Sequence, residues 1–94
     1  MKLELPTRRD GRVSLTLSAN QTDTIRIPDP NIMPYRPGSQ REKAWCVVRL
    51  MDGLTISEGH RILELLEPGI QGVVGRPLGW IANAVTDEYV EIHR

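Results

Sequence analysis

Two stretches near the start of the chain alternate between apolar and polar positions. Alternation with a period of two is typical of a β-strand that buries one face. The stretches cover residues 12–18 and 24–27, and turn-forming residues lie between them at 20–23. Pro28 then removes a backbone donor and ends the second stretch. The pattern predicts a β-hairpin.

A nearly continuous apolar run follows in the middle of the chain. It extends from Ala44 to Met51 and contains Arg49 as its polar residue. Such a run is typical of a strand that is buried on both faces. Asp52-Gly53 is a turn signal after it. We therefore predict the central strand of the sheet at 44–51.

A helix is predicted after this turn. Thr55 and Glu58 have the spacing of a capping box, and Ser57 is a competing N-cap. Apolar residues then recur with helical spacing until Pro68-Gly69 ends the helix. Gly59 lies inside this helix, where glycine costs about 1 kcal/mol relative to alanine.

A second helix and a last strand are predicted near the end of the chain. Pro77 suits the first turn of a helix, and apolar residues follow Leu78 at i+3, i+4 and i+7. In this pattern Trp80 lies off the apolar stripe. Residues 88–92 alternate again and predict a returning strand.

These elements predict one small α+β domain over residues 1–94, in the order β-β-β-α-α-β. We expect an antiparallel or mixed sheet with two helices on one face. Residues 1–11 are expected to form a mobile arm, and residues 28–43 a proline-rich loop. The predicted core consists of aliphatic side chains from all elements: Val13, Leu15, Leu17, Ile25, Ile27, Val47, Leu50, Ile62, Leu66, Leu78, Ile81, Val85 and Val90.

Composition and charge restrict the class of protein. A single cysteine, Cys46, excludes an intramolecular disulfide, and its apolar neighbours favour a buried, inert thiol. No apolar stretch is long enough to span a membrane and no signal peptide is evident, so we expect a cytoplasmic protein without membrane contact. The net charge is zero, but residues 1–50 hold nine basic against five acidic residues and residues 51–94 hold three against seven. This asymmetry favours association with a partner of complementary charge, unless the two halves intermix in space.

Catalytic chemistry has little support in the sequence. Cys46, His60 and His93 do not have the spacing of a metal site, so we expect no metal and no cofactor. Ser57 and His60 would be neighbours on a helix, but no third group completes a triad. A helix cap and a solvent-facing histidine explain them better, and we expect the protein not to be an enzyme.

A glycine-rich segment lies between the two predicted helices. Glycines recur at every third position from Gly69 to Gly75, and Arg76 follows before the helix. They either hold turns between packed helices or let backbone amides approach an anion. Gly72-Val73-Val74-Gly75 with the aliphatic residues after it resembles the Gly-x-x-Gly loop of KH domains. That resemblance covers residues 44–92, about half of the chain, and implies a β-α-α-β core and nucleic-acid binding. A helix-turn-helix is a weaker interpretation, because the connection is long.

Exposed apolar and basic residues point to binding as the function. We expect a non-catalytic binding or regulatory protein that acts through protein–protein contacts and forms a homo-oligomer. Nucleic-acid binding through the KH-like loop and the arginines of the first half, which include Arg8, Arg9 and Arg12, is the alternative. An exposed tryptophan is a frequent interface anchor, although Trp80 could instead cover the edge of its own core. The candidate binding residues are Met33, Tyr35, Arg36, Arg41, Lys43, Gly72, Gly75, Arg76 and Trp80.

Overall fold

The computed structural model describes residues 1–66 and 77–94. In it, two short strands from opposite ends of the chain pair into one antiparallel sheet. Four helices accompany this sheet in the described residues, giving a small α+β fold. The elements in chain order are α1 Leu17–Asn20, β1 Thr24–Arg26, α2 Gln40–Val48, α3 Ile56–Leu65, α4 Pro77–Thr86 and β2 Glu91–His93.

The sheet brings the N-terminal and C-terminal segments together. In the register of β1 and β2, Ile25 lies opposite Ile92, and both side chains are almost completely buried. The backbone N–H of Leu3 donates to the carbonyl of Ile92 at 2.7 Å. The segment expected to be an N-terminal arm therefore lies along β2. The N–H of Ile25 donates to Leu54, which ties β1 to the turn before α3.

The predicted hairpin over residues 12–27 is wrong, although its second strand is confirmed as β1. Val13 forms an isolated bridge with Thr7, and the chain enters the short helix α1 at Leu17. Thr16 caps this helix by accepting a hydrogen bond from the N–H of Ala19. Three alternating apolar residues fit a strand, but a threonine cap signals a helix start, and the cap prevails here.

The predicted central strand at 44–51 is also wrong, because this run lies mostly in helix α2. Ser39 accepts a hydrogen bond from the N–H of Glu42 and so caps a helix that begins at Gln40, inside the range expected to be a loop. Ala44, Trp45 and Val48 form its buried face. A short apolar run does not distinguish a buried helix from a buried strand, and the cap upstream decides between them. The order β-β-β-α-α-β is therefore not found.

The last part of the chain follows its predicted secondary structure. Thr55 is the N-cap of α3, with both hydrogen bonds of the capping box to Glu58, so Ser57 is not the cap. The helix that begins at Pro77 is confirmed as α4. The strand predicted at 88–92 is found as β2, but it is shorter and covers Glu91–His93. Helix α4 packs against both α2 and α3.

The core is built around this central helix and β1. Ile25, Ile27, Ile81 and Val90 are buried as predicted. Leu50 is wrong as a core residue, since its side chain is 73% exposed. Ile62 is also on the exposed side of its helix. The other predicted core residues are partly buried. Those that pack against the core are Leu15, Leu17, Val47, Leu66, Leu78 and Val85, whereas Val13 is partly buried without belonging to that set.

Candidate functional site

A small basic hairpin crosses the outer side of α4. Its ends pair through the Thr7–Val13 bridge, and its turn closes where Gly11 takes a positive φ of 81°. The carboxylate of Asp10 accepts a hydrogen bond from the N–H of Arg12 at 3.0 Å. The N–H of Val13 then donates to the hydroxyl of Thr86 at 2.9 Å, which fixes the hairpin on the helix.

Two arginines that are distant in the sequence both border Asn83 of α4. The guanidinium of Arg12 donates to the side-chain oxygen of Asn83 at 3.5 Å. Arg41, on the α4-facing side of α2, borders the same narrow cleft as Asn83. We call Arg12 and Arg41, which both border Asn83, the arginine face. Within residues 1–66 and 77–94, no arginine is part of an ion pair.

Carboxylates are interspersed with this arginine face. Asp10 lies in the turn between Arg9 and Arg12. On the other side, Asp87 accepts a hydrogen bond from the hydroxyl of Tyr35 at 2.9 Å. Burial, followed by this hydrogen bond and the charge of Asp87, raises the pKa of Tyr35, and the nearby charge of Arg41 opposes that rise. The phenol therefore stays protonated as a donor to Asp87.

Neither Arg36 nor Lys43, the other basic candidates among the described residues, lines the cleft that Arg41 and Asn83 border. Lys43 follows Arg41 by two residues on α2, which turns it by about 200° around the helix. The carbonyl of Arg36 accepts a hydrogen bond from the hydroxyl of Ser39 at 2.6 Å, and its side chain is exposed. Met33 is 51% exposed in the same proline-rich loop.

The aromatic candidates, Tyr35 and Trp80, are too buried within their own chain to serve as exposed interface anchors. Tyr35 is half-buried and packs edge-on against Trp45 and Tyr89, with ring centres 6.3 and 5.8 Å away. Trp80, which the stripe placed at the surface, is only 4% exposed. Helix α4 lies between α2 and α3, so its buried surface is wider than one apolar stripe. Trp80 therefore belongs to the core of its own chain, as the alternative interpretation of the sequence had it, and is not an exposed interface anchor.

A groove runs between the segment 13–17 and the first half of α4. It encloses about 510 Å³ and is lined mainly by aliphatic side chains, with Arg8 and His60 among its polar residues. The prediction of a solvent-facing His60 is wrong, since its side chain is 19% exposed. Its Nδ1 lies 2.9 Å from Oε1 of Glu64, which holds the ring in place. Sequence spacing could find this pair, but it could not show that segment 13–17 lines the same groove as the histidine.

The single cysteine is a partly exposed residue of α2. Its Sγ lies 3.2 Å from Oε2 of Glu42, one helical turn earlier. The hydrogen bond to this carboxylate, together with burial, raises the pKa of the Cys46 thiol. The thiol is therefore poorly suited to act as a nucleophile, because thiolate is the reactive form.

Three of the candidate residues, Gly72, Gly75 and Arg76, lie outside the described residues. The β-α-α-β core that the KH resemblance implies is not found over 44–92, because α2 takes the place of its first strand. In the described part of the chain, no group of three or more His, Cys, Asp or Glu side chains could hold a metal ion. No helix there is long and apolar enough to cross a membrane. No protein family, curated protein or solved structure matches this chain.

Proposed function

We propose that this protein is a non-catalytic binding protein whose arginine face contacts an acidic surface of a protein partner. The observation that carries the proposal is that Arg12 donates a hydrogen bond to Asn83 and that Arg41 borders the same cleft as Asn83. Arg12 comes from a hairpin and Arg41 from a helix, and the two residues are 29 positions apart in the sequence. The fold therefore concentrates positive charge that the sequence leaves dispersed.

The arginines of this face have donors to spare for a partner. A guanidinium carries five N–H donors and matches a carboxylate with two parallel hydrogen bonds. Arg12 has one weak side-chain contact, to Asn83, and neither it nor Arg41 is part of an ion pair in the described residues. Exposed charges of this kind add to the rate and specificity of association more than to its affinity.

The mixture of charges favours a protein partner over nucleic acid. Asp10 and Asp87 border the face, and a phosphate backbone with its dense negative charge would meet both carboxylates. Nucleic-acid-binding domains typically have an isoelectric point above about 9. The value for this chain is about 6.7. Nucleic-acid binding stays the second candidate, since unpaired arginines also suit phosphates.

The test measures binding of a labelled polyglutamate peptide, used as a model acidic polypeptide, at about 50 mM salt. The double variant Arg12→Glu, Arg41→Glu is expected to bind the peptide at least about tenfold more weakly. The matched control replaces Lys43 and Arg61 with Glu. These residues are exposed elsewhere on α2 and α3, and the change in net charge is the same. Equal losses in both double variants would show that net charge alone drives binding and would overturn the proposal.

A DNA duplex of mixed sequence distinguishes the second candidate. We expect no duplex binding tighter than about 100 μM at 150 mM salt, the weak end of non-specific affinities. Micromolar duplex binding that Arg12→Glu and Arg41→Glu abolish would replace the protein partner with nucleic acid. Micromolar duplex binding that Gly75→Asp abolishes would instead assign it to the glycine-rich segment.

A further inference from the structure

We propose that the groove between segment 13–17 and α4 binds a small apolar carboxylate, such as a medium-chain fatty acid. This site is separate from the arginine face and does not depend on the function proposed for it. Its volume of about 510 Å³ lies within the range of roughly 300–1,000 Å³ that is usual for small-molecule sites.

The apolar part of such a ligand fits the long sides of the groove. One side carries Val13, Leu15 and Leu17, and the other carries Leu78 and Ala82 from α4. The leucines and Val13 are only partly buried, so a bound alkyl chain would cover apolar surface that now faces solvent. The four residue steps from Val13 to Leu17 span at most about 13 Å. A fully extended chain of ten carbons, with C–C bonds of about 1.5 Å at tetrahedral angles, is about 11 Å long and fits within this span.

The charged part of the ligand fits the polar residues of the groove. Arg8 and His60 line it, and none of the described residues that line it is acidic. The side chain of Arg8 forms no hydrogen bond or ion pair within residues 1–66 and 77–94. A guanidinium without a counter-charge beside an apolar groove is suited to a carboxylate head group. Arg8 therefore suits an anionic head group, and the aliphatic lining suits an alkyl chain.

The fold holds the backbone of Arg8 and the ring of His60 in place before a ligand arrives. The backbone N–H of Arg8 donates to the carbonyl of Arg12 at 2.7 Å, which anchors Arg8 at the base of the hairpin. His60 is held by Glu64 at 2.9 Å through Nδ1, so Nε2 is the ring nitrogen left to interact with a ligand. Positions fixed in this way reduce the entropy lost on binding.

The test titrates decanoate, below its micelle concentration, into the isotopically labelled protein and follows amide chemical shifts. The expected shifts cluster at residues 14–17, 78–79 and 82. Decanol, which has the same chain without the charge, is expected to bind at least about tenfold more weakly. Shifts that are confined to other surfaces, or equal affinity for decanol, would overturn the proposal.

Variants separate the head group from the chain. Arg8→Gln is expected to weaken decanoate binding about tenfold and to leave decanol binding unchanged. Ala82→Phe fills the groove from α4 and is expected to abolish the binding of both. The control Lys43→Gln removes a positive charge outside the groove and should change neither affinity. Decanoate binding that Arg8→Gln leaves unchanged would refute the role of this arginine, and binding that survives Ala82→Phe would refute the location.

Discussion

Replacement of Gly59 by alanine tests whether the core packs as tightly as the structure indicates. Gly59 lies in α3 with its Cα facing the core. A Cβ built at this position would lie 2.9 Å from Cδ1 of Ile25, 3.2 Å from Sδ of Met51 and 3.3 Å from Cδ1 of Ile81. Each of these three side chains is at most 1% exposed, so none can move into solvent to make room.

Two opposing effects set the size of the change. Alanine is favoured over glycine by about 1 kcal/mol inside a helix. An added methyl group in a well-packed core costs about 1–3 kcal/mol. The net effect is a loss of 0–2 kcal/mol in the free energy of unfolding, and we expect about 1 kcal/mol because three contacts are short at once. A chain of this size has only about 5–14 kcal/mol in total.

The assay is urea denaturation, and unfolding is monitored by tryptophan fluorescence because Trp45 and Trp80 are both buried. Ile25→Val removes the Cδ1 atom that lies closest to the new methyl group. Alone it is expected to cost about 0.5–1.5 kcal/mol. Combined with Gly59→Ala it should cost at least about 0.5 kcal/mol less than the sum of the two single changes, because the clash is relieved.

Ile92→Val is the matched control, because it shortens another buried isoleucine whose Cδ1 is not among the atoms nearest to Gly59. Its combination with Gly59→Ala should be additive. A Gly59→Ala variant that is more stable than the natural chain by about 1 kcal/mol would refute the packing argument. In that case helix propensity would outweigh the contacts.

Three further predictions follow from burial, from a hydrogen bond and from exposed apolar side chains such as Met33. Trp80→Ala should lower the free energy of unfolding by about 3–5 kcal/mol in chemical denaturation, because Trp80 is a core residue, and an unchanged stability would contradict this. The pKa of Glu58 is held below its ordinary value of 4.5 by the backbone and side-chain donors of Thr55. Glu58 therefore stabilises the fold at neutral pH, and the stability difference from Glu58→Gln should shrink as the pH falls through that lowered pKa; a difference that is independent of pH would be evidence against it. The chain should form a homodimer or larger assembly at about 150 mM salt, and light scattering that gives the mass of one chain over a hundredfold concentration range would refute this.

The helices whose boundaries are set by neighbouring residues could be predicted from the sequence. The capping box at Thr55 and the proline and apolar stripe of α4 do not depend on distant residues, so both helices are found where expected. The run at 44–51 does not itself distinguish a helix from a strand, because its nearly continuous apolar residues show neither periodicity. The Ser39 cap, which lies five residues upstream, decides that it is a helix.

The candidate sites depend on contacts that sequence patterns do not contain. The hairpin reaches Asn83 because Val13 bonds to Thr86, 73 positions later in the chain. Nothing local to Arg12 or Arg41 indicates that they share a surface. Burial of Trp80 has the same origin, since it depends on α2 packing against α4. The sequence therefore showed which residues could bind, and the fold shows which of them lie together.

The most direct test of the arginine face is to locate the binding surface itself. Polyglutamate is titrated into the isotopically labelled protein at about 50 mM salt, and amide and side-chain shifts are followed. The expected perturbations cluster at residues 9–12, Arg41 and the side-chain amide of Asn83. Perturbations that instead cluster at Arg36, Lys43 or Arg61, or that spread evenly over all exposed basic residues, would contradict the proposed face.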